Sequence, residues 1–185
     1  MISKGDSVPV LDHGYVKLID FMGSDEHVIL AARQSTGKGF QGWNKDASLL
    51  EYLYSNAHMT PFEMGDMIIE VQAPIFVFRE WHRHRTQSYN EFSARYSIMP
   101  NIHYIPAPCR IRKQSEKDKQ ASGGEPISTN MTEIMIRDFA HQQEDVYQSY
   151  VSMTRDGVAK EVARINTPVS RYSKMWAKAN LRNWL

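Results

Sequence analysis

Residues Arg83 to Ser97 read RHRTQSYNEFSARYS. These fifteen positions hold three arginines, a histidine, a glutamate, two tyrosines, an asparagine and three serines, with Phe92 and Ala94 as apolar interruptions. A segment this polar is neither a core strand nor an ordinary amphipathic helix, because burial would cost roughly several kcal/mol for each unpaired charge. Guanidinium forks and hydroxyls suit phosphate. Asn90 and Glu91 can read donors and acceptors on a ring or ribose, and Tyr89 and Tyr96 can stack on one. Together these types suit a nucleotide better than a bare anion. The plain alternative is a solvated basic loop with an internal ion pair to Glu91.

The surrounding chain sets limits on this segment. Its 185 residues suit one domain, or one with an insertion, and 42% apolar content is enough for a core. A net charge of +1 argues against a general nucleic-acid binder, since the basic charge is concentrated between Arg79 and Arg95. A single-strand groove, which also interleaves arginines with aromatics, remains the runner-up on residue types. Cys109 is the one cysteine, so no internal disulfide framework or cysteine-rich zinc site is possible. No apolar run approaches the roughly 20 residues that span a bilayer. A signal-peptide pattern is also missing, which implies a cytoplasmic setting, or the host cytoplasm if the source is viral.

Outward from the segment, the pattern predicts a mixed α/β fold. Residues 1–13 read as an extended tail. Tyr15 to Met22 alternates as a strand, with Val16, Leu18 and Phe21 on one side. Helices are expected over Asp25 to Gln34 and Asp46 to Asn56, and a strand over Met67 to Ala73. A helix from Pro74 then delivers Arg83 at its C-terminal end. Residues 109–127 have no period and read as a mobile surface loop or insertion. A long helix follows from Ser128 or Thr129 to about Thr154, stopped by Gly157. Val158 to Asn166 is a short helix, Arg171 to Lys174 is irregular or strand-like, and Met175 to Leu185 starts one more helix.

Other chemistries fit poorly. Ser35 to Gly39 (STGKG) lacks the full phosphate-loop pattern. His82 and His84 sit beside arginines that repel a cation, so no metal site is expected. Ser88, Ser93 and Ser97 lack a nucleophile elbow.

The spacing R-H-R-x-x-S-x-N-x-x-S-x-R-Y-S resembles the signature of the flavin-dependent thymidylate synthases. All nine specified positions are filled, by Arg83, His84, Arg85, Ser88, Asn90, Ser93, Arg95, Tyr96 and Ser97. AARQS (31–35), HMTPFE (58–63), APIFVFREW (73–81), GVAKEVARINTP (157–168) and Asn180-Leu181-Arg182 are similar to further family segments. Everything but the N-terminal tail and residues 109–127 is covered.

The resemblance implies a single domain with a central sheet flanked by helices, assembled as a homotetramer with sites shared between subunits. It implies reductive methylation of dUMP to dTMP, with methylenetetrahydrofolate giving the carbon and FAD reduced by NADPH giving the hydride. Carried over by position, Thr60, Arg83, His84, Arg85, Glu91, Asn180 and Arg182 contact FAD, and His58 and Asn90 line the same site. Glu80, Arg83, Glu91, Phe92, Ser93, Ala94, Arg95 and Arg164 contact dUMP. Arg83, Ser93, Arg95 and Arg164 are the implied catalytic set, stabilising charge that develops on the pyrimidine. Glu80 stands where the family has Gln, so a carboxylate there needs Arg79 or Arg83 to offset it. The family pattern also continues past Leu185 into F-L-x-L-R, which carries the arginine that activates dUMP. On this resemblance the chain is the major N-terminal portion of such an enzyme. The alternative is an FAD- and nucleotide-binding homologue or split-enzyme fragment without turnover by itself, and a different pyrimidine nucleotide also stays open.

Overall fold

The computed structural model describes residues 2–120 and 122–185. Five strands form one sheet: β1 (Ser7–Val10), β2 (Gly14–Met22), β3 (Asp66–Pro74), β4 (Ser88–Glu91) and β5 (Tyr172–Asn180), in the order β1-β2-β3-β5-β4. Six helices accompany it among the described residues: α1 (Asp25–Arg33), α2 (Trp43–Ser55), α3 (Ile75–Trp81), α4 (Thr129–Arg155), α5 (Lys160–Ala163) and α6 (Leu181–Trp184). The mixed α/β expectation holds. The chain divides into two compact units. One comprises the chain up to Ala73, Arg79–Phe92 and Lys174–Leu185, and the other Pro74–Phe78 and Ser93–Ser173.

In the first unit, the expected N-terminal tail contains β1, which pairs antiparallel with β2 from Ser7↔Lys17 to Val10↔Gly14. Gly14 is required at the end of this hairpin, because a Cβ there would lie 2.6 Å from the Val10 carbonyl oxygen. A bulge between Leu18 and Asp20 shifts the register against β3. Val16, Leu18 and Phe21 therefore face Val71, Ile69 and Met67 from one side, as the sequence pattern required.

Helices α1 and α2 pack around Val28, Leu53 and Phe62, with Leu49, Leu50, Met59 and Leu181 against them. α2 starts at Trp43, three residues earlier than its sequence pattern suggests, from an N-cap Gly42 at φ +91°. Asp46 is fully buried instead of opening the helix. It accepts from the Arg33 guanidinium and, at 2.6 Å, from the Gln41 backbone N–H. Burial alone would raise its pKa, but these donors outweigh that and hold the carboxyl below its ordinary value.

The largest departure from the sequence pattern is β5. Residues 175–185 were expected to begin a helix, and 172–180 are a strand instead. Ser173, Met175, Ala177 and Ala179 are buried while Lys174, Trp176 and Lys178 are exposed, a period of two. Sheet position overrides the helix preference of Ala, Lys and Met. Only the four residues of α6 are helical after it. The ladder of β4 to β5 runs Ser88↔Lys178, Tyr89↔Ala177, Asn90↔Trp176 and Glu91↔Met175. The middle of the polar Arg83–Ser97 segment is thus an edge strand, with its exposed and half-buried residues alternating.

In the second unit, α4 spans 27 residues and ends before Gly157, whose φ of +84° permits the turn. The helix expected over 158–166 is α5 followed by a 3₁₀ turn, Arg164–Asn166. Within 109–127, Arg112 bridges to Pro126, and the Lys113 N–H donates to Glu125 O at 3.0 Å. Arg171 is 1% exposed and has no carboxylate bonded to it among the described residues. Its guanidinium donates to Asn101 Oδ1 (2.8 Å), Pro100 O (3.3 Å) and Gln143 O (3.4 Å), and lies 4.7 Å from the Tyr147 ring centroid.

Arg171→Ala should therefore cost about 3 kcal/mol in urea unfolding, since it removes a buried side chain packed on Tyr147 and takes this donor from the buried Gln143 carbonyl. Asp46 gives a pH signature. Its folded pKa is depressed, so its contribution is complete above the unfolded value of 3.8 and is lost as pH falls through the folded value. Asp46→Asn should lower stability at neutral pH and flatten the acid limb of a stability-against-pH curve.

Candidate functional site

The first unit gathers part of the expected set around α6. Asn180 is its N-cap, and the side-chain Oδ1 accepts from the Asn183 backbone N–H at 3.1 Å. The Leu181 N–H donates to Gly65 O at 2.8 Å, just past a 3₁₀ turn, Thr60–Met64. Arg182 pairs with Glu63 of that turn. On the other side, Asn183 Nδ2 donates to Thr86 O at 3.4 Å. The Trp184 ring meets Trp81 edge-on, with centroids 6.4 Å apart. So α6 ties the Thr60 turn to the turn that carries Arg83, His84 and Arg85. His58, just before the 3₁₀ turn, is exposed beside Tyr52, 5.7 Å between ring centroids.

The basic turn itself is held by its backbone. The Arg83 N–H donates to Glu80 O (3.1 Å) and the His84 N–H to Trp81 O (2.9 Å). The Tyr89 hydroxyl donates to His84 O at 2.6 Å, and burial pushes its pKa up, so it stays a donor. Arg83, His84 and Arg85 are exposed, and their side chains make no hydrogen bond or ion pair among the described residues. Such a cluster of donors, with no acceptor of its own, is poised for an anion. Glu80 is exposed on the last turn of α3.

β4 splits the rest of the expected set by face. Tyr89 and Glu91 share a face with Ala177 and Met175. Ser88 and Asn90 share the other with Lys178 and Trp176, beside a cavity of about 170 Å³ that Ile68 also lines. Asn90 therefore points away from the face where Tyr89 holds the basic turn. Phe92, half-buried, donates its N–H to Lys174 O at 2.8 Å.

The second unit holds Ser93, Ala94, Arg95 and Arg164. Ser93 organises a tight turn. Its carbonyl accepts from the Tyr96 and Ser97 N–H groups, both at 3.1 Å, and its Oγ from the Arg95 N–H at 3.3 Å. Ala94 is buried. α5 meets this turn twice: Lys160 Nζ donates to Tyr96 O at 2.8 Å, and Glu161 lies 3.6 Å from Arg95 Nε. Both partners of the latter pair are more than half exposed, so it adds little stability. Arg164 opens the 3₁₀ turn right after α5, and its exposed side chain has no bonded partner among the described residues.

Sequence reasoning passes over Glu63, Tyr89 as a backbone anchor, and Asn183. Only Glu63 carried a signal, as the last residue of HMTPFE.

Known proteins share this arrangement of segments. The family model described as thymidylate synthase complementing protein matches residues 17–185. The flavin-dependent thymidylate synthase of Wolbachia pipientis wMel is 42% identical over 176 residues, covering 95% of this chain and 62% of that protein. The enzyme of the same name from Rickettsia prowazekii (strain Madrid E) is 38% identical over 192 residues, covering 97% and 65%. The chain thus spans less than two thirds of the length of these relatives. Among solved structures, a UMP/dUMP methylase, PolB, from Streptomyces cacaoi bound with 5-Br dUMP superposes with a TM-score of 0.80 at 35% identity, over 92% of this chain and 74% of that one.

Removing the Asn180 cap tests how far α6 depends on it. Asn180→Ala should lower stability by about 1 kcal/mol in urea unfolding, while Asn180→Asp should retain most of it.

Proposed function

The chain belongs to the thymidylate synthase complementing protein family, and from that premise we propose that it takes part in the flavin-dependent methylation of dUMP to dTMP. The observation that carries this reading is the joining, by one short helix, of the Thr60 turn and the Arg83–Arg85 turn, with Asn180 and Arg182 at the join. The residues fit a flavin dinucleotide. Arg83, His84 and Arg85 offer unpaired donors to a pyrophosphate, and Thr60, Asn180 and Arg182 are polar groups of the turn and helix joined to them. His58 and Glu91 belong to the proposed FAD set by position, as does Asn90, from the opposite face of β4.

When bound, FAD supplies the hydride chemistry, drawn from NADPH, and methylenetetrahydrofolate supplies the carbon that replaces hydrogen on the pyrimidine. The chain's own task is to bind, orient and neutralise. Arg83, Ser93, Arg95 and Arg164 are the proposed catalytic residues. The guanidiniums can offset negative charge on the phosphate and the ring, while the Ser93 hydroxyl can hydrogen-bond the nucleotide. Glu80, Glu91, Phe92 and Ala94 complete the proposed nucleotide set. No helix among the described residues is long and apolar enough to cross a membrane. We place the chain in the cytoplasm, as one domain of a homotetramer whose sites are shared between copies.

The name of PolB favours one further reading, that UMP is also accepted. Incubation with FAD, NADPH, methylenetetrahydrofolate and either dUMP or UMP, with the nucleotides then analysed, tests both. dTMP from dUMP is the expected product, and Arg83→Ala should lower kcat/KM about 100-fold, roughly the loss of one strong charge-stabilising donor. A purified chain that binds FAD and dUMP yet leaves dUMP unmethylated supports the binding homologue instead.

A further inference from the structure

Three basic side chains in succession, Arg83, His84 and Arg85, carry no bonded counter-group among the described residues. Arginines this close repel one another, so nothing in their side chains holds the turn in shape before a ligand arrives. Besides the Arg83 and His84 N–H bonds to Glu80 O and Trp81 O and the Trp81 indole bond to Gln87 Oε1 (2.8 Å), the turn is held by carbonyls caught by neighbours. Asn183 takes Thr86 O at 3.4 Å, a long bond. Tyr89 takes His84 O at 2.6 Å, the short one, and also lies 3.3 Å from Trp81 O. The same ring stands 4.9 Å from that of His82, whose Nε2 lies 3.2 Å from Met175 Sδ in β5. Tyr89 thus sits opposite Ala177 within the β4–β5 ladder and is joined to the turn at its hydroxyl. It spans from rigid sheet to charged loop in one side chain.

We propose that Tyr89 is a positioning residue, holding the Arg83–Arg85 turn in the shape that presents its donors to an anionic ligand. The motif leaves this position unspecified, and Tyr89 itself has no need to touch the ligand. The inference rests on the flavin reading only for the identity of that ligand. A turn fixed in advance lowers the ordering cost of binding. Loss of the hydroxyl should therefore weaken binding without weakening the fold, because the ring and its packing remain.

The test is Tyr89→Phe in the full chain, with two measurements. In the free protein, hydrogen exchange should quicken at the amides of residues 83–87 while the unfolding midpoint stays near that of wild type. Titration with FAD, read by flavin fluorescence, should give about a tenfold weaker Kd. In the Arg85→Ala background the same substitution should cost much less, since a displaced turn no longer has that guanidinium to misplace. Unchanged exchange in Tyr89→Phe overturns the proposal whatever FAD does. Faster exchange with an unchanged Kd, or equal losses in both backgrounds, also overturns it as a positioning role. A wild type that binds no FAD overturns the flavin reading instead, and the exchange of the free protein still decides whether Tyr89 fixes the turn.

Discussion

Strand β5 lies between β3 and β4, and its backbone ladder fixes β4, the strand into which the basic turn leads. Its small buried side chains, Ala177 and Ala179, leave room on the face where Tyr89 packs against it. Its last residue, Asn180, caps α6. One strand therefore sets the position of Tyr89 by pairing and of Arg182 and Asn183 by continuation. Register matters here more than composition. A slip of one residue would turn Tyr89 to the face of Lys178 and Trp176, and would free the basic turn.

The candidate site separates charge from rigidity. Where the first unit needs a buried charge for structure, it is fully matched, as Asp46 is by Arg33 and Gln41. In the second unit, Arg171 is buried with its Nη1 and Nη2 on oxygen acceptors of Asn101, Pro100 and Gln143, and its Nε without a partner among the described residues. By contrast, Arg83, Arg85 and Arg164 are exposed and unpaired among the described residues. Of the cations in the proposed set, Arg95 and Arg182 face Glu161 and Glu63, while Arg83, Arg85 and Arg164 keep their donors for a ligand. That contrast supports anion binding more directly than the number of arginines does.

Much of this was legible beforehand, and the failures have physical causes. Residue types in RHRTQSYNEFSARYS point to an anion- or nucleotide-binding segment, and its spacing carries the family resemblance, but neither shows that Ser93 organises a turn. Phe21 was placed with Val16 and Leu18 although the register needs a bulge to put it there. The strand over 172–180 was missed since Met, Ala and Lys favour helix locally, and the alternation Met175-Trp176-Ala177-Lys178-Ala179 was outweighed by that preference. The apolar stripe Leu49, Leu50, Leu53 and Tyr54 suggests a helix from Asp46, whereas the helix starts at Trp43 and Asp46 is buried against its Arg33 partner. The pairing of Glu63 with Arg182 joins residues more than a hundred positions apart, a contact that no local pattern in a single sequence can display.

The central claim is that α6 joins the Thr60 turn and the basic turn into one flavin-binding surface. Hydrogen exchange of the full chain with and without saturating FAD tests it most directly. The account predicts that protection rises together in three separate stretches, residues 58–65, 83–87 and 180–184, and changes little across 129–155. Protection confined to other segments, or gained at one of these three stretches alone, would contradict it.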